Sequence, residues 1–84
     1  MKYVFSEQAW DDYLFWQGTD KKILKRINSL IKEISRDPFK GTGKPEPLKH
    51  ALAGYWSRRI TEADRIVYKV ENQKLFIAQL RYHY

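Results

Sequence analysis

Arg65-Ile66-Val67-Tyr68-Lys69-Val70, then Asn72-Gln73, then Leu75-Phe76-Ile77-Ala78-Gln79-Leu80-Arg81-Tyr82-His83-Tyr84 reads as a β-hairpin at the end of the chain. In its first strand Ile66, Tyr68 and Val70 alternate onto one face, the period-2 spacing of a half-buried strand. Asn72-Gln73 is a tight turn, and the second strand runs from Leu75 to Tyr84. Upstream, Tyr55-Trp56-Ser57-Arg58-Arg59-Ile60 supplies another strand, joined through the turn Thr61-Glu62-Ala63-Asp64. At the other end, residues 2–5 hold the β-formers Tyr3, Val4 and Phe5, a short strand.

Two helices lie between. Ser6 caps the first, and Glu7 suits its positive N-terminal end. Trp10, Tyr13 and Leu14, spaced i, i+3, i+4 with Ala9 and Trp16 nearby, form its apolar face. Gly18 ends it and Thr19 caps the next. In the second helix Ile23, Ile27, Leu30, Ile31 and Ile34 make one stripe, and Asp37-Pro38 stops it. Lys21, Lys22, Lys25, Arg26 and Lys32 lie mostly off that stripe, as a solvated face or as a contact for nucleic acid or a ribosome. The order strand, two-helix hairpin, three antiparallel strands gives an α+β fold, helices packed on a twisted sheet, in one domain over residues 1–84.

Eighty-four residues make a thin core, and with no cysteine there is neither a disulfide nor a cysteine zinc site to reinforce it. The thirteen Tyr, Phe and Trp side chains (6, 4 and 3) bury much area each and help compensate. No segment reads as a signal peptide, and no apolar run nears the ~20 residues a bilayer requires, so no membrane partner and a reducing cytoplasm are expected. The net charge of +6 favours a polyanionic partner, although solubility alone explains many small basic domains.

Lys40-Gly41-Thr42-Gly43-Lys44-Pro45-Glu46-Pro47 is no phosphate-binding P-loop, which needs Gly-Lys-Ser/Thr entering a helix. Its two prolines hold Glu46 in a stiff, extended segment that Leu48 to Leu52 anchor to the core. Between Pro38 and Thr61 the cations are Lys40, Lys44, Lys49, Arg58 and Arg59, and Glu46 is the one carboxylate side chain. Such a setting favours its ionised form. The plainer reading is a surface ion pair with Lys44 or Lys49, and the double-proline setting counts against it. At the C-terminus, alternation puts Gln79, Arg81 and His83 on one face and Leu80, Tyr82 and Tyr84 on the other. His83 is then either a titrating functional group or merely exposed while the tyrosines close the core. His50, beside Leu48 and Leu52, is structural. Two histidines without matched acidic spacing fall short of a usual metal-ligand set, so no metal or cofactor is expected. RNA cleavage without metal needs a base, an acid and cations for the phosphate, and one Glu, one His and several Arg meet that need.

Lys44-Pro45-Glu46-Pro47-Leu48-Lys49-His50, Gly54-Tyr55-Trp56-Ser57-Arg58-Arg59-Ile60, Arg65-Ile66-Val67-Tyr68, the terminal Arg81-Tyr82-His83-Tyr84 and Trp10-Asp11-Asp12-Tyr13 together resemble the YoeB toxin family of the RelE superfamily, over essentially the whole chain. The resemblance implies a RelE-like fold and the toxin of a type II toxin–antitoxin pair, a ribosome-dependent endoribonuclease that cuts mRNA in the 30S decoding site. It implies Glu46 as general base, His83 as general acid, Arg65 on the scissile phosphate, Tyr84 shaping the site, and Lys44, Lys49 and Arg59 as cations around the substrate. The partners it implies are ribosome, mRNA and a YefM-like antitoxin, acidic and partly disordered; it leaves room for operator DNA reached through the antitoxin complex and for a homodimer. Two readings compete. A ParE-like gyrase poison would not need Glu46 and His83. A non-catalytic basic nucleic-acid-binding domain should show a helix-turn-helix or stacking aromatics, yet the second helix here carries the core stripe.

Overall fold

The computed structural model describes residues 1–82. β1 (Lys2–Phe5) leads into α1 (Glu7–Thr19) and α2 (Lys21–Arg36). A loop reaches β2 (Glu46–Pro47), a 3₁₀ turn (His50–Leu52), then β3 (Trp56–Arg59), β4 (Arg65–Glu71) and β5 (Lys74–Gln79). The strands form one five-stranded sheet in the order β1-β5-β4-β3-β2, with β1 parallel to β5 and every other pairing antiparallel. The fold is therefore α+β, as the sequence pattern implies, with β2 an additional edge strand. Among the described residues no helix is long and apolar enough to cross a membrane.

The core lies between the helices and one face of the sheet. From α2 it takes Ile27, Leu30, Ile31 and Ile34, with Ile23 partly buried at the edge, so the expected stripe is the buried face. From the sheet it takes Ile66, Tyr68, Leu75 and Ile77, with Val70 packed against them. Asn72 and Gln73 both have positive φ, the twist a two-residue hairpin turn requires, and Glu71 pairs with Lys74 across it.

The first helix departs from its expected face. Ala9 and Trp16 are buried as expected and Tyr13 packs partly buried against the core, but Trp10 and Leu14 are exposed and Asp12 is buried in their place. Trp10 stacks on Tyr13 at the edge of the core, and Phe5 meets both rings edge-on. Two of the buried residues bind Leu80, just beyond β5. Asp12 Oδ2 accepts from the Leu80 N–H at 2.9 Å, and Trp16 Nε1 donates to the Leu80 carbonyl at 2.9 Å. Ser6 caps α1 as expected, accepting from Ala9 N. Gly18 and Thr19 do not divide the helices: Asp20 ends α1 through its N–H and caps α2, its carboxylate accepting from Lys22 N and Ile23 N. Asp bonds both orphan amides at once, which a Thr hydroxyl one residue earlier cannot.

β5 also stops short of the expected C-terminal strand. Val67 pairs with Gln79 but Tyr68 pairs with Ile77, so Ala78 is an extra, bulged residue. The bulge shifts the alternation, and Leu80 turns into the core beside Leu75 and Ile77. Beyond it the chain bends, and Tyr82 is exposed with φ +63°.

Candidate active site

Residues paired across antiparallel strands point to the same face. Glu46 pairs with Ser57, Ser57 with Val67, and Val67 with Gln79. Two residues along, Arg59 pairs with Arg65. The neighbouring row, Arg58 with Ile66 and Trp56 with Tyr68, belongs to the core face. Glu46, Arg59 and Arg65 are thereby brought together on the face of the sheet that carries no helix. Lys44 and Lys49, both exposed, flank β2 at its two ends. Lys49 and His50 line an open depression with Pro47, Leu48, Ala51 and Leu52. His50 is exposed with φ +56° and its carbonyl accepts from Ala53 N, so its structural part is to open the 3₁₀ turn.

Two arginines directly opposite each other repel, an arrangement a sheet avoids without a reason. Arg65 carries a second anomaly: its Nη1 is buried and, among the described residues, has no hydrogen-bond partner. A buried N–H without an acceptor costs about 1–3 kcal/mol, more when charged. The pair of guanidinia, one with a donor that meets no acceptor among the described residues, is suited to an oxyanion such as a phosphate.

Residues 81–82 are tied beside this pair. Arg65 N donates to the Tyr82 carbonyl at 3.1 Å, Tyr82 N donates to Asp64 Oδ1 at 2.7 Å, and Arg81 stacks over Phe15. With the Asp12 and Trp16 bonds to Leu80, these fix the backbone up to the position preceding His83. The expected acid His83 and the expected tyrosine Tyr84 lie outside the described residues.

Arg58 is not a cation of this site. It is wholly buried on the core face. Its Nε donates to Tyr68 Oη, its Nη1 to Glu33 Oε1 and Thr42 O, and its Nη2 to Asp37 O and Lys40 O. The Tyr68 hydroxyl in turn donates to Pro38 O, and its burial raises its pKa. The Thr42 backbone N–H, aided by Arg58, holds the Glu33 carboxyl below the usual carboxylate range. Sequence reasoning missed this role, although strand alternation already implied that Arg58 and Arg59 face opposite ways. Arg26 is likewise more than part of a solvated face, since it donates to the Ile60 and Arg59 carbonyls, whereas Lys21, Lys22, Lys25 and Lys32 are exposed as expected.

Comparison with known proteins gives a consistent result. A family model described as the YoeB-like toxin of bacterial type II toxin–antitoxin systems matches residues 5–84. The chain is 63% identical over 84 residues to Toxin YoeB of Escherichia coli K12, covering 100% of both chains. It superposes on a YoeB/ParE toxin from Agrobacterium tumefaciens with a TM-score of 0.98 at 53% identity, covering 100% of both. A chain of the YoeB-YefM complex from Staphylococcus aureus superposes with a TM-score of 0.92 at 46% identity, covering 100% of this chain and 98% of that one.

Proposed function

Because the chain belongs to the YoeB-like toxins of bacterial type II toxin–antitoxin systems, we propose that it is a ribosome-dependent endoribonuclease that cuts mRNA and so stops translation in the cytoplasm. The observation that carries this reading is the Arg65 guanidinium, whose buried Nη1 has no partner among the described residues, directly across from Arg59 and on the same face as Glu46. The arrangement suits a phosphate beside a carboxylate base.

RNA supplies its own nucleophile, the 2′-hydroxyl next to the scissile phosphate. Glu46 takes the 2′-OH proton as the 2′-oxygen bonds to phosphorus. The bond from phosphorus to the 5′-oxygen breaks, and His83 protonates that oxygen. Arg65, with Arg59, stabilises the charge that builds on the phosphate. Lys44 and Lys49 hold the flanking strand, and Tyr84 shapes the site. The products are a 2′,3′-cyclic phosphate and a 5′-OH. Its partner is a YefM-like antitoxin with an acidic, partly disordered segment, which the net charge of +6 is suited to attract.

The test is cleavage of an mRNA positioned on purified ribosomes. The protein should cut at the decoding site, and an equal amount of Glu46→Gln should not within the same time. Intact mRNA with inhibited DNA gyrase would instead support a ParE-like poison.

A further inference from the structure

β2 is only two residues long, and its Pro47 has no N–H to give to the sheet. A strand that short does not fix its own place; its flanks do. Downstream, Leu48 N donates to the Tyr55 carbonyl at 2.9 Å. Upstream, Gly43 O accepts from Arg59 N at 2.7 Å, and the rest of the 37–44 segment, which has no helix or strand of its own, is gathered around Arg58. The Arg58 guanidinium reaches Asp37 O at 2.7 Å, Lys40 O at 2.8 Å, Thr42 O at 3.3 Å and Glu33 Oε1 at 3.0 Å, with Nε on Tyr68 Oη at 3.1 Å. Three carbonyls of the segment thus hang on one planar fork, a geometry that the point charge of Lys does not reproduce. The wrapping is tight: Gly41 has φ +127°, and a Cβ there would collide with Glu33 Oε1, while at Gly43 (φ +87°) a Cβ would stand 3.0 Å from Arg59 O.

We propose that Arg58 is a positioning residue for Glu46: from the core face it holds the segment that sets where β2 presents the carboxylate on the opposite face. This rests on the reading of Glu46 as general base. Arg58 itself touches no substrate, because it is wholly buried, bonded to α2, Tyr68 and the segment it holds. A carboxylate displaced by about 1 Å loses on the order of 10²-fold in rate, so the effect is large without any change in the site's own residues.

The experiment measures single-turnover mRNA cleavage on ribosomes for the full chain and for Arg58→Lys, Glu46→Ala and the double variant, each below its melting temperature. Arg58→Lys should lower the saturating rate constant about 10²-fold and leave the half-saturating ribosome concentration unchanged. In the Glu46→Ala background it should produce no further loss, because there is no base left to misplace. A full rate for Arg58→Lys, or the same loss with and without Glu46, overturns the proposal. If Arg58→Lys does not fold, Glu33→Gln takes its place, weakening one arm of the clamp. It should give a smaller loss that again vanishes without Glu46, and a loss that persists there overturns the proposal equally. A wild-type chain that leaves mRNA intact, or a Glu46→Ala chain that cuts at the wild-type rate, overturns the assignment of the base and the proposal with it.

Discussion

Arg58 and Arg59 are neighbours in β3 and lie on opposite faces of the same sheet. On the core face, Arg58 is enclosed and its nitrogens are bonded to a carboxylate, a hydroxyl and three carbonyls. On the other face, Arg59 is exposed and stands opposite Arg65, whose Nη1 has no partner among the described residues. Residue type does not distinguish the two; satisfaction does. Where the polar groups answer one another the face is structural, and the face where like charges are set together is the one proposed here to take the phosphate.

Substitutions on the two faces should therefore separate activity from stability. The largest effect belongs to the helix-free face. Glu46→Gln should slow single-turnover cleavage by about 10²- to 10⁴-fold with a melting temperature close to wild type. Melting and rate fall together only if β2 is part of the core, which would break the contrast. On the core face the effect should reverse. Ile34→Ala empties a fully buried site on α2 and should cost about 2–5 kcal/mol of stability. Measured by urea unfolding, with cleavage assayed on the folded fraction, it should leave the rate per folded molecule unchanged.

The smallest effect sits where the faces are coupled, at Glu33. Its folded pKa is lowered from 4.5, first by the Thr42 backbone N–H and then by Arg58. A depressed carboxylate contributes stability that is fully present above the unfolded pKa and lost as pH falls through the folded one. Wild type should accordingly exceed Glu33→Gln in urea midpoint at pH 7, and the difference should shrink as pH drops below about 4.5. A difference that is constant across this range would remove the carboxylate's charge from the account of the clamp.

Much of this was legible in one dimension. The α2 stripe, the Asn72-Gln73 hairpin, the Ser6 cap and the extended setting of Glu46 follow from periodicity and turn chemistry. What escaped depends on contacts distant in sequence. Asp12 is polar at a core position because it answers Leu80, 68 residues away, so helical apolar spacing favoured Trp10 and Leu14 instead. The bulge at Ala78 reverses a parity that alternation carries unbroken to the end of the chain. Arg58 reads as one more cation until the partners gathered around it are known. Of the site, Glu46, Arg59 and Arg65 are brought to one face by the strand register, whereas the roles of His83 and Tyr84 rest on the family resemblance.

The central claim, that the helix-free face performs acid–base cleavage with the RNA's own 2′-hydroxyl, is tested most directly by end-group analysis of single-turnover products from a pre-formed ribosome complex. The account predicts a 2′,3′-cyclic phosphate on the upstream fragment and a 5′-OH on the downstream one. A free 3′-OH with a 5′-phosphate would mean that water attacked the phosphorus, and the assignment of Glu46 and His83 would be contradicted.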